Sequence, residues 1–375
     1  MMNKVFCTGG SIVNNWGTNL VNHWTNVLNK DSSLLPMTLN DGTQTYASYL
    51  SAEQWQQLFE KYGTHYTKSA LLCIEAINCA IKNQQINWKK TAIIVATTKG
   101  DIDLYAFDKP NIHNIKTFFH HLSSQLNTHF KPIRPCTILS NACISGSQAI
   151  QLGAAYLQSG IADNVVICGV DLCTTFTLTG FNSLKALSTQ PAMPFDKNRD
   201  GISLGEASSA LVLCKEALPF NGLTQIQYVT GAVSNDANHI SGPSRTGEGL
   251  YQAIQHVSSQ SEYPIDAISL HGTATIYNDD MESVAIHRCG LQSTPCFGLK
   301  GIYGHTLGAA GILESIISLL ALSNNIIPAT TGYTNPGTAH PIAISSHNQK
   351  GTFKTILKCT SGFGGGNCAL IFHKN

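Results

Sequence analysis

Short β-branched runs alternate with longer stretches of small and apolar residues at helical spacing. This alternation constrains the fold more than any other feature of the chain. Thr91–Thr97, Asn164–Cys168 and Ala207–Leu213 read as strands, and Lys68–Ile81 and Ala149–Leu157 as buried helices. Helix-length segments between strands supply crossover connections, so the expected class is α/β with a mostly parallel sheet. Near Pro219–Gly222 the chain punctuates itself, dividing it into an N-terminal half, residues 1–221, and a C-terminal half, residues 222–375. The second half again alternates, with strands at Gln225–Val233, Ala267–Leu270, Lys354–Cys359 and Cys368–Phe372. Both halves open with a strand running into a loop, which permits a duplicated design, although no internal repeat shows in the sequence.

Other segments follow the same logic. Trp16–Leu28 and Asn114–Phe130 read as helices, the polar stretch Asn29–Leu50 as a surface excursion, and Pro191–Gly205 as a loop. Phe181–Ser188 reads as a short helix, Asp279–Arg288 as a helix, and His305–Leu322 as a long one.

Composition bounds the function. The 375 residues are 43% hydrophobic, enough for a large core, and carry a net charge of +1, which excludes a charge-driven partner such as nucleic acid or an anionic membrane. Ile312–Leu322, the longest apolar stretch, is too short for a membrane span and holds Glu314. The twelve cysteines are scattered without a CxxC pair, and no Cys/His pair has zinc-like spacing, so neither a disulfide framework nor a catalytic metal is expected. The N-terminus lacks a long apolar core, and the expectation is a cytoplasmic protein with reduced thiols.

Several local features carry chemistry. In Thr137–Ser147 (TILSNACISGS) a strand gives way to a small-residue helix with Cys143 at the joint. A helix N-terminus there favours the thiolate and lowers the thiol pKa, although a free cysteine is more often a small core residue. His271-Gly272-Thr273-Ala274-Thr275 lies at the C-terminal end of a strand, where open α/β sheets place their sites, with Asn278, Asp279 and Glu282 following. Lys300-Gly301-Ile302-Tyr303-Gly304-His305-Thr306-Leu307-Gly308 brings a second histidine to a helix start, where it stays neutral and its Nε2–H can donate to a carbonyl. Lys300 has Glu314 or Glu282 as a possible ion-pair partner. Ser361–Asn367 (SGFGGGN) reads as a flexible loop bearing one aromatic residue. Gly201-Ile202-Ser203-Leu204-Gly205 fits the hydrolase elbow pattern but lacks a strand before it and a helix after it, so Ser203 is rejected as a nucleophile. Phe195-Asp196 and Arg199-Asp200 are expected to form a structural ion-pair and turn network.

Taken in order, NACISG at 141–146, PFD…RDG at 194–201, HGTAT…ND at 271–279, GHTLGAAG at 304–311 and GFGGGN at 362–367 resemble the β-ketoacyl-acyl-carrier-protein synthases. The resemblance spans nearly the whole chain. It implies a thiolase-like fold, with two similar α/β halves stacked in α-β-α-β-α layers, and a decarboxylative Claisen condensation of a malonyl unit with an acyl chain on Cys143. By the same resemblance His271 and His305 hold the malonyl thioester carbonyl. Lys300 orients the site and pairs with Glu314, with Asp279 and Glu282 in support. The N–H groups of Cys143 and Phe363 form an oxyanion hole, and Phe363 gates the pocket. Thr273, Thr275 and Ser241 contact the pantetheine.

The resemblance implies no cofactor beyond the carrier's phosphopantetheine. It implies an acyl carrier protein as partner, with Lys61, Lys68, Lys197 and Arg199 as docking candidates. A homodimer is implied, or a heterodimer with a second synthase or chain-length factor. The Cys-His-His set marks the elongating type. Ser361 stands where an aromatic residue is common, the segment Ala96–Asp101 is poor in glycine, and the chain is short for the type. These departures point to a specialised synthase, for a polyene or aryl-polyene pigment, rather than to housekeeping elongation. The alternative is a non-catalytic partner subunit that shapes a shared acyl tunnel, against which the intact Cys143 argues.

Overall fold

A computed structural model describes residues 4–105 and 118–375. Ten strands form one hydrogen-bonded sheet: β1 (Val5–Val13), β2 (Thr91–Ala96), β3 (Thr137–Leu139), β4 (Asn164–Asp171), β5 (Ala207–Cys214), β6 (Ile226–Asn235), β7 (Ala267–Ser269), β8 (Cys296–Phe297), β9 (Thr355–Ser361) and β10 (Gly366–Lys374). The duplication that the sequence left open is plain in their order. The first half runs β3-β2-β4-β5-β1 and the second β8-β7-β9-β10-β6. Each position of one half has its counterpart five strands later. The pairing directions repeat as well. In each half the first two pairings are parallel and the last two antiparallel. The halves join through an antiparallel pairing of Val5, Phe6 and Cys7 with Tyr228, Gln227 and Ile226.

The expected mostly parallel sheet is therefore mixed. A parallel pairing needs a crossover long enough to carry the chain back. Only Gly362–Gly365 separates β9 from β10, and so short a turn forces those strands antiparallel.

The helices are α1 (Leu20–Asn29), α2 (Ala52–Tyr62), α3 (Lys68–Ile81), α4 (Phe118–Phe130), α5 (Ser145–Gln158), α6 (Thr175–Ser183), α7 (Glu248–Gln260), α8 (Ile276–Arg288), α9 (Lys300–Tyr303) and α10 (Ala310–Asn324). Helices α5 and α10 touch each other and strands of both halves, so they form a central layer. Helix α3 covers the outer face of the first half with α4 against it, and α7 with α8 covers the second. The result is five layers, α-β-α-β-α. Residues Ala310–Leu322 of α10 are all buried. Among the described residues the stretch Leu307–Asn324 is long and apolar enough to cross a membrane, with mean hydropathy 1.5, but 89% of it is buried within the protein. Its apolarity serves the central layer.

Several boundaries shift from the sequence reading. Helix α1 starts at Leu20 because Asn19 caps it, accepting from the Val21 and Asn22 N–H groups. The excursion at 29–50 contains a hairpin, Leu35–Thr38 with Gln44–Ser48, that pairs with Leu204–Gly205 in a small second sheet. Helix α2 follows with a Ser51/Gln54 capping box. The short helix near 181 lies earlier, at Thr175–Ser183, capped by Thr174. The described part of the helix expected at Asn114–Phe130 begins at Phe118, and residues 114–117 lie outside the described residues.

The two central helices approach through glycine. A Cβ on Gly146 would lie 2.8 Å from the Gly308 carbonyl, and one on Gly311 would lie 2.5 Å from Ser147 Oγ and crowd its backbone nitrogen. Neither backbone can retreat, because strands of both halves pack against the two helices. Gly311→Ala is expected to cost about 1–3 kcal/mol in urea unfolding, whereas Gly180→Ala, at an exposed helical position with nothing near the added Cβ, is expected to cost nothing or to stabilise by up to about 1 kcal/mol. Equal losses would show that the crossing tolerates side chains.

Candidate active site

The cavity beside Cys143 is assembled from the C-terminal ends of strands in both halves. It occupies about 460 Å3, and its lining includes Cys143, His271, His305, Phe363, Thr273 and Ser241. Thus the catalytic and pantetheine candidates named from sequence converge on one space. Cys143 follows β3 in a tight turn in which Ala142 takes φ 44°. Ser145 holds that turn, its Oγ accepting from Asn141 N at 2.7 Å and donating to the Ala142 carbonyl at 2.6 Å.

The expected low thiol pKa is corrected by the burial of the site. Cys143 is 7% exposed, and burial pushes its thiol above the usual range. Lys300, Lys99 and the Phe363 N–H pull the other way without winning. The helix starts at Ser145, two residues beyond the cysteine.

His271 sits just past β7 in a loop clamped from one face of α8. Glu282 accepts from the His271 and Gly272 N–H groups, both at 2.6 Å, and from Asn278 Nδ2 at 3.0 Å. Asp279 accepts from Thr273 N at 3.0 Å and Phe195 N at 2.7 Å, and faces Arg199 Nε at 3.6 Å. Gly272 takes φ 51°, and a Cβ there would come within 2.6 Å of the Phe195 ring, so only glycine fits. The Thr273 and Thr275 hydroxyls bond each other at 2.8 Å.

His305 lies five residues before α10, in the turn Gly304–Thr306 rather than in the first helical turn. The rejected elbow motif supplies its seat. His305 N donates to the Ser203 carbonyl at 2.7 Å, and Gly205 N donates to the His305 carbonyl at 3.0 Å. Ser203 is fully buried outside the cavity lining, and its Oγ accepts from Ala192 N at 3.1 Å. His305 is depressed well below the usual histidine range, first by burial and then by Lys300, Lys99 and Lys358. These causes replace the expected helix dipole.

Hydrogen bonds fix both imidazole tautomers. Leu307 N donates to His305 Nδ1 at 3.2 Å. Lys300 Nζ reaches His271 Nδ1 at 3.0 Å, and an ammonium can only donate. Each Nδ1 is therefore an acceptor, and the proton of each neutral ring sits on Nε2. Among the described residues the buried His305 Nε2 has no hydrogen-bond partner. His271 is also depressed well below the usual range, by burial, then Lys300, His305 and Lys358. The rings lie 5.0 Å apart at 83°. One ligating atom each from Cys143, His271 and His305 lie within 4.8 Å of one another. The chemistry of that set does not suit a metal, because both rings carry their proton on the nitrogen that the Nδ1 bonds leave for the pocket.

Beneath the histidines Lys300 pairs with Glu314 Oε1 at 2.6 Å, as expected. The sequence reading missed Lys358, which takes Glu314 Oε2 at 2.7 Å and is fully buried. The signal was available, because Lys358 is the one charged residue in the buried strand TILKCTS. It also missed Asp171, which accepts from Thr98 N at 2.9 Å and Gly308 N at 2.7 Å and ties the end of β4 to the His305 loop.

The Phe363 ring is 38% exposed and stacks on Phe181 with centroids 5.7 Å apart. Of the docking candidates, Arg199 is corrected. It is buried, bonded to the Asp196 and Gly337 carbonyls and paired with Asp280 at 3.0 Å, so it cannot meet a partner. The expected network around it differs too. Asp196 accepts from Thr334 and Asn335, and Asp200 from Ser188 and Thr189. Lys61 is tied to Glu75 at 2.7 Å, Lys68 lies over the Trp55 ring, and Lys197 is exposed.

The Glu282 carboxyl is pushed up to about 7, first by burial and then by the neighbouring Asp279. A carboxyl raised in the folded state makes that state bind the proton more tightly than the unfolded chain does. The stability it contributes is then full below its ordinary range near 4.5 and lost as pH rises toward 7. Between pH 4.5 and 7 the unfolding free energy of Glu282→Gln is expected to fall by about 2 kcal/mol less than that of the wild type. Urea titrations at several pH values measure this, and parallel profiles would contradict it.

The N-terminal domain of the β-ketoacyl synthases matches residues 64–218, and their C-terminal domain matches residues 227–334. The chain is 32% identical over 270 residues to 3-oxoacyl-[acyl-carrier-protein] synthase 2 of Rhizobium meliloti (strain 1021), covering 67% of this chain and 64% of that protein. It is 33% identical over 254 residues to the ketoacyl synthase alpha subunit of the tetracenomycin polyketide synthase of Streptomyces glaucescens, covering 63% of this chain and 59% of that one. These alignments thus span under two thirds of the relatives' length. Among solved structures, one chain of the ketosynthase ApeO in complex with its chain length factor ApeC, from Xenorhabdus doucetiae, matches with TM-score 0.84. That match has 26% identity and covers 100% of this chain and 98% of that chain. The ishigamide ketosynthase/chain length factor has the same fold, with TM-score 0.86, 22% identity and complete coverage of both chains. With two family domains in register on its two halves, the chain belongs to the β-ketoacyl synthase family.

Proposed function

We propose that the protein is a β-ketoacyl-acyl-carrier-protein synthase of the elongating type. The observation that carries this reading is the pair of imidazoles whose Nδ1 atoms are both occupied by donors, beside a buried cysteine. Two neutral Nε2–H groups are suited to hold a thioester carbonyl and the enolate oxygen that replaces it, without a metal. In the first half-reaction Cys143 attacks the acyl thioester of a carrier protein. The pantetheine sulfur leaves and takes up the proton that Cys143 gives. In the second, the malonyl carboxylate departs as CO2 and leaves its electron pair on the enolate. The enolate attacks the acyl carbonyl on Cys143, and the cysteine thiolate is the leaving group. The product is a 3-keto chain two carbons longer, on the carrier.

In this reading the N–H groups of Cys143 and Phe363 stabilise the tetrahedral oxyanion, and Phe363 with Phe181 gates the pocket. Lys300 orients His271 and is held by Glu314. Asp279 and Glu282 fix the loop that presents His271, and Thr273, Thr275 and Ser241 meet the pantetheine arm. No other cofactor is assigned. The partners are an acyl carrier protein and a second synthase-like subunit, either another copy or a chain-length factor. We place the junction of the two halves at residues 221/222, between β5 and β6.

The substrate reading is a long, specialised acyl chain. Cys143 packs in an apolar cluster with Leu178, Leu204 and Leu307, and Met37 and Cys173 border it. Met37 and Cys173 also face a second hollow of about 990 Å3, walled by Leu50 of the 29–50 excursion and by Trp55 and Phe59 of α2. That excursion precedes the residues matched to the family.

Intact-mass measurement after incubation with a panel of acyl-carrier proteins tests the reading. The acyl mass is expected on the wild type and absent from Cys143→Ala, with loss of at least about 1,000-fold in condensation. Unchanged condensation by a complex containing Cys143→Ala would instead favour the partner-subunit reading. Extension of long saturated chains alone would overturn the specialised substrate.

A further inference from the structure

A lysine in the middle of a buried strand needs a reason. The Lys358 side chain is fully buried on β9 and reaches the central helix α10. Among the described residues its Nζ meets only acceptors, namely Glu314 Oε2 at 2.7 Å, the Cys359 carbonyl at 2.6 Å, and the Leu270 and Ser269 carbonyls at 3.4 and 3.5 Å. Such a set requires an ammonium. Lys300 Nζ likewise meets Glu314 Oε1, His271 Nδ1 and the His271 carbonyl. Glu314 therefore divides its carboxylate between two cations, one per oxygen.

The buried charges under the site follow. Lys300 and Lys358 supply two positive charges against the carboxylate that Glu314 divides between them. Glu282, with its carboxyl pushed up to about 7, adds a second negative charge only as it ionises. Without Lys358 the Lys300–Glu314 pair would be neutral at best and would turn net negative as Glu282 ionises, beside a cysteine and a carbonyl that both become negative during the reaction. Glu314 would then be free to neutralise Lys300 with both oxygens and draw it off His271 Nδ1.

We propose that Lys358 is a positioning residue of the reaction: by occupying the second oxygen of Glu314 it keeps Lys300 on His271 Nδ1 and keeps the buried charge from turning negative beneath Cys143. The role of His271 in it rests on the synthase reading above, but the effect on the Cys143 thiol does not. The groups facing the site are Lys300 from α9, Glu314 from α10, Asp279 and Glu282 from α8, Lys358 and Cys359 from β9, and Cys296 from β8. Cys368 from β10, Asp171 from β4, and Lys99 from the loop after β2 complete the set. Only Lys358 and Glu314 change in the test.

The test is the pH dependence of Cys143 alkylation by iodoacetamide, followed by intact mass. It reads the thiolate whether or not the protein condenses malonyl units. Lys358→Met is expected to raise the alkylation midpoint by roughly one pH unit, a slowing of roughly tenfold at a fixed pH below it. Glu314→Gln is expected to lower it, and the charge-balanced pair Lys358→Met/Glu314→Gln to return it near wild type. A purely packing role would leave the midpoints of both single variants in place or shift them in the same direction, and either result overturns the proposal. So does a double variant as displaced as Lys358→Met. If Lys358→Met does not fold, Lys358→Gln, which keeps a polar side chain without the charge, is expected to raise the midpoint in the same way, and an unshifted midpoint there overturns the proposal. Normal alkylation shifts in a protein that fails to condense would refute the synthase reading and leave the charge assignment standing.

Discussion

The site depends on how one buried ammonium spends its three N–H groups. Lys300 gives one to Glu314, one to the His271 carbonyl and one to His271 Nδ1. The last bond decides the tautomer of the ring, and the tautomer decides what His271 presents to the pocket. A similar decision at His305 is made by the backbone N–H of Leu307, a residue held at φ 50°. Two different donors, one ionic and one from strained backbone, impose the same state. A buried ion pair is weak support for stability, since desolvation offsets much of the attraction. Its value here is geometric, because it holds a neutral donor in place without a metal.

The duplicated topology explains why such a site can be built at the junction. Parallel strands of both halves end at the cavity, β3 before Cys143 and β7 before His271, and each half contributes one loop that leads into a central helix. Cys143 precedes α5, and His305 precedes α10. Glycines at the crossing bring the two helix starts together, so the cysteine and the histidine meet. The remaining pieces are ties between loops, with Asp171 joining β4 to the His305 loop and Glu282 fixing the His271 loop.

Much of this was legible in the sequence. The motifs around Cys143, His271, Lys300 and His305 pointed to these residues, and the structure brings Cys143, His271 and His305 into one cavity with Thr273, Ser241 and Phe363, with Lys300 buried behind His271. Two physical arguments failed. The helix N-terminus was expected to lower the Cys143 pKa and to keep His305 neutral, but burial raises the Cys143 thiol against the pull of Lys300 and Lys99, and burial together with Lys300, Lys99 and Lys358 keeps His305 neutral. Three-dimensional proximity was not legible. Lys358 is 44 positions from Glu314 in the chain, and Arg199 looked surface-exposed from its charged neighbours before α8 and the 334–337 turn covered it. The duplication left no trace at the level of residues because equivalent strands need only be apolar, while their order and direction repeat fully.

The central claim is that both imidazoles are neutral Nε2–H donors. Nitrogen-15 NMR of histidine-labelled protein, with His271→Ala and His305→Ala spectra for assignment, tests it most directly. The account expects protonated Nε2 and unprotonated Nδ1 on both rings, unchanged between pH 6 and 8 because burial and the neighbouring lysines hold both well below the usual range. An imidazolium signal at neutral pH, or a proton on Nδ1 of either ring, would contradict it.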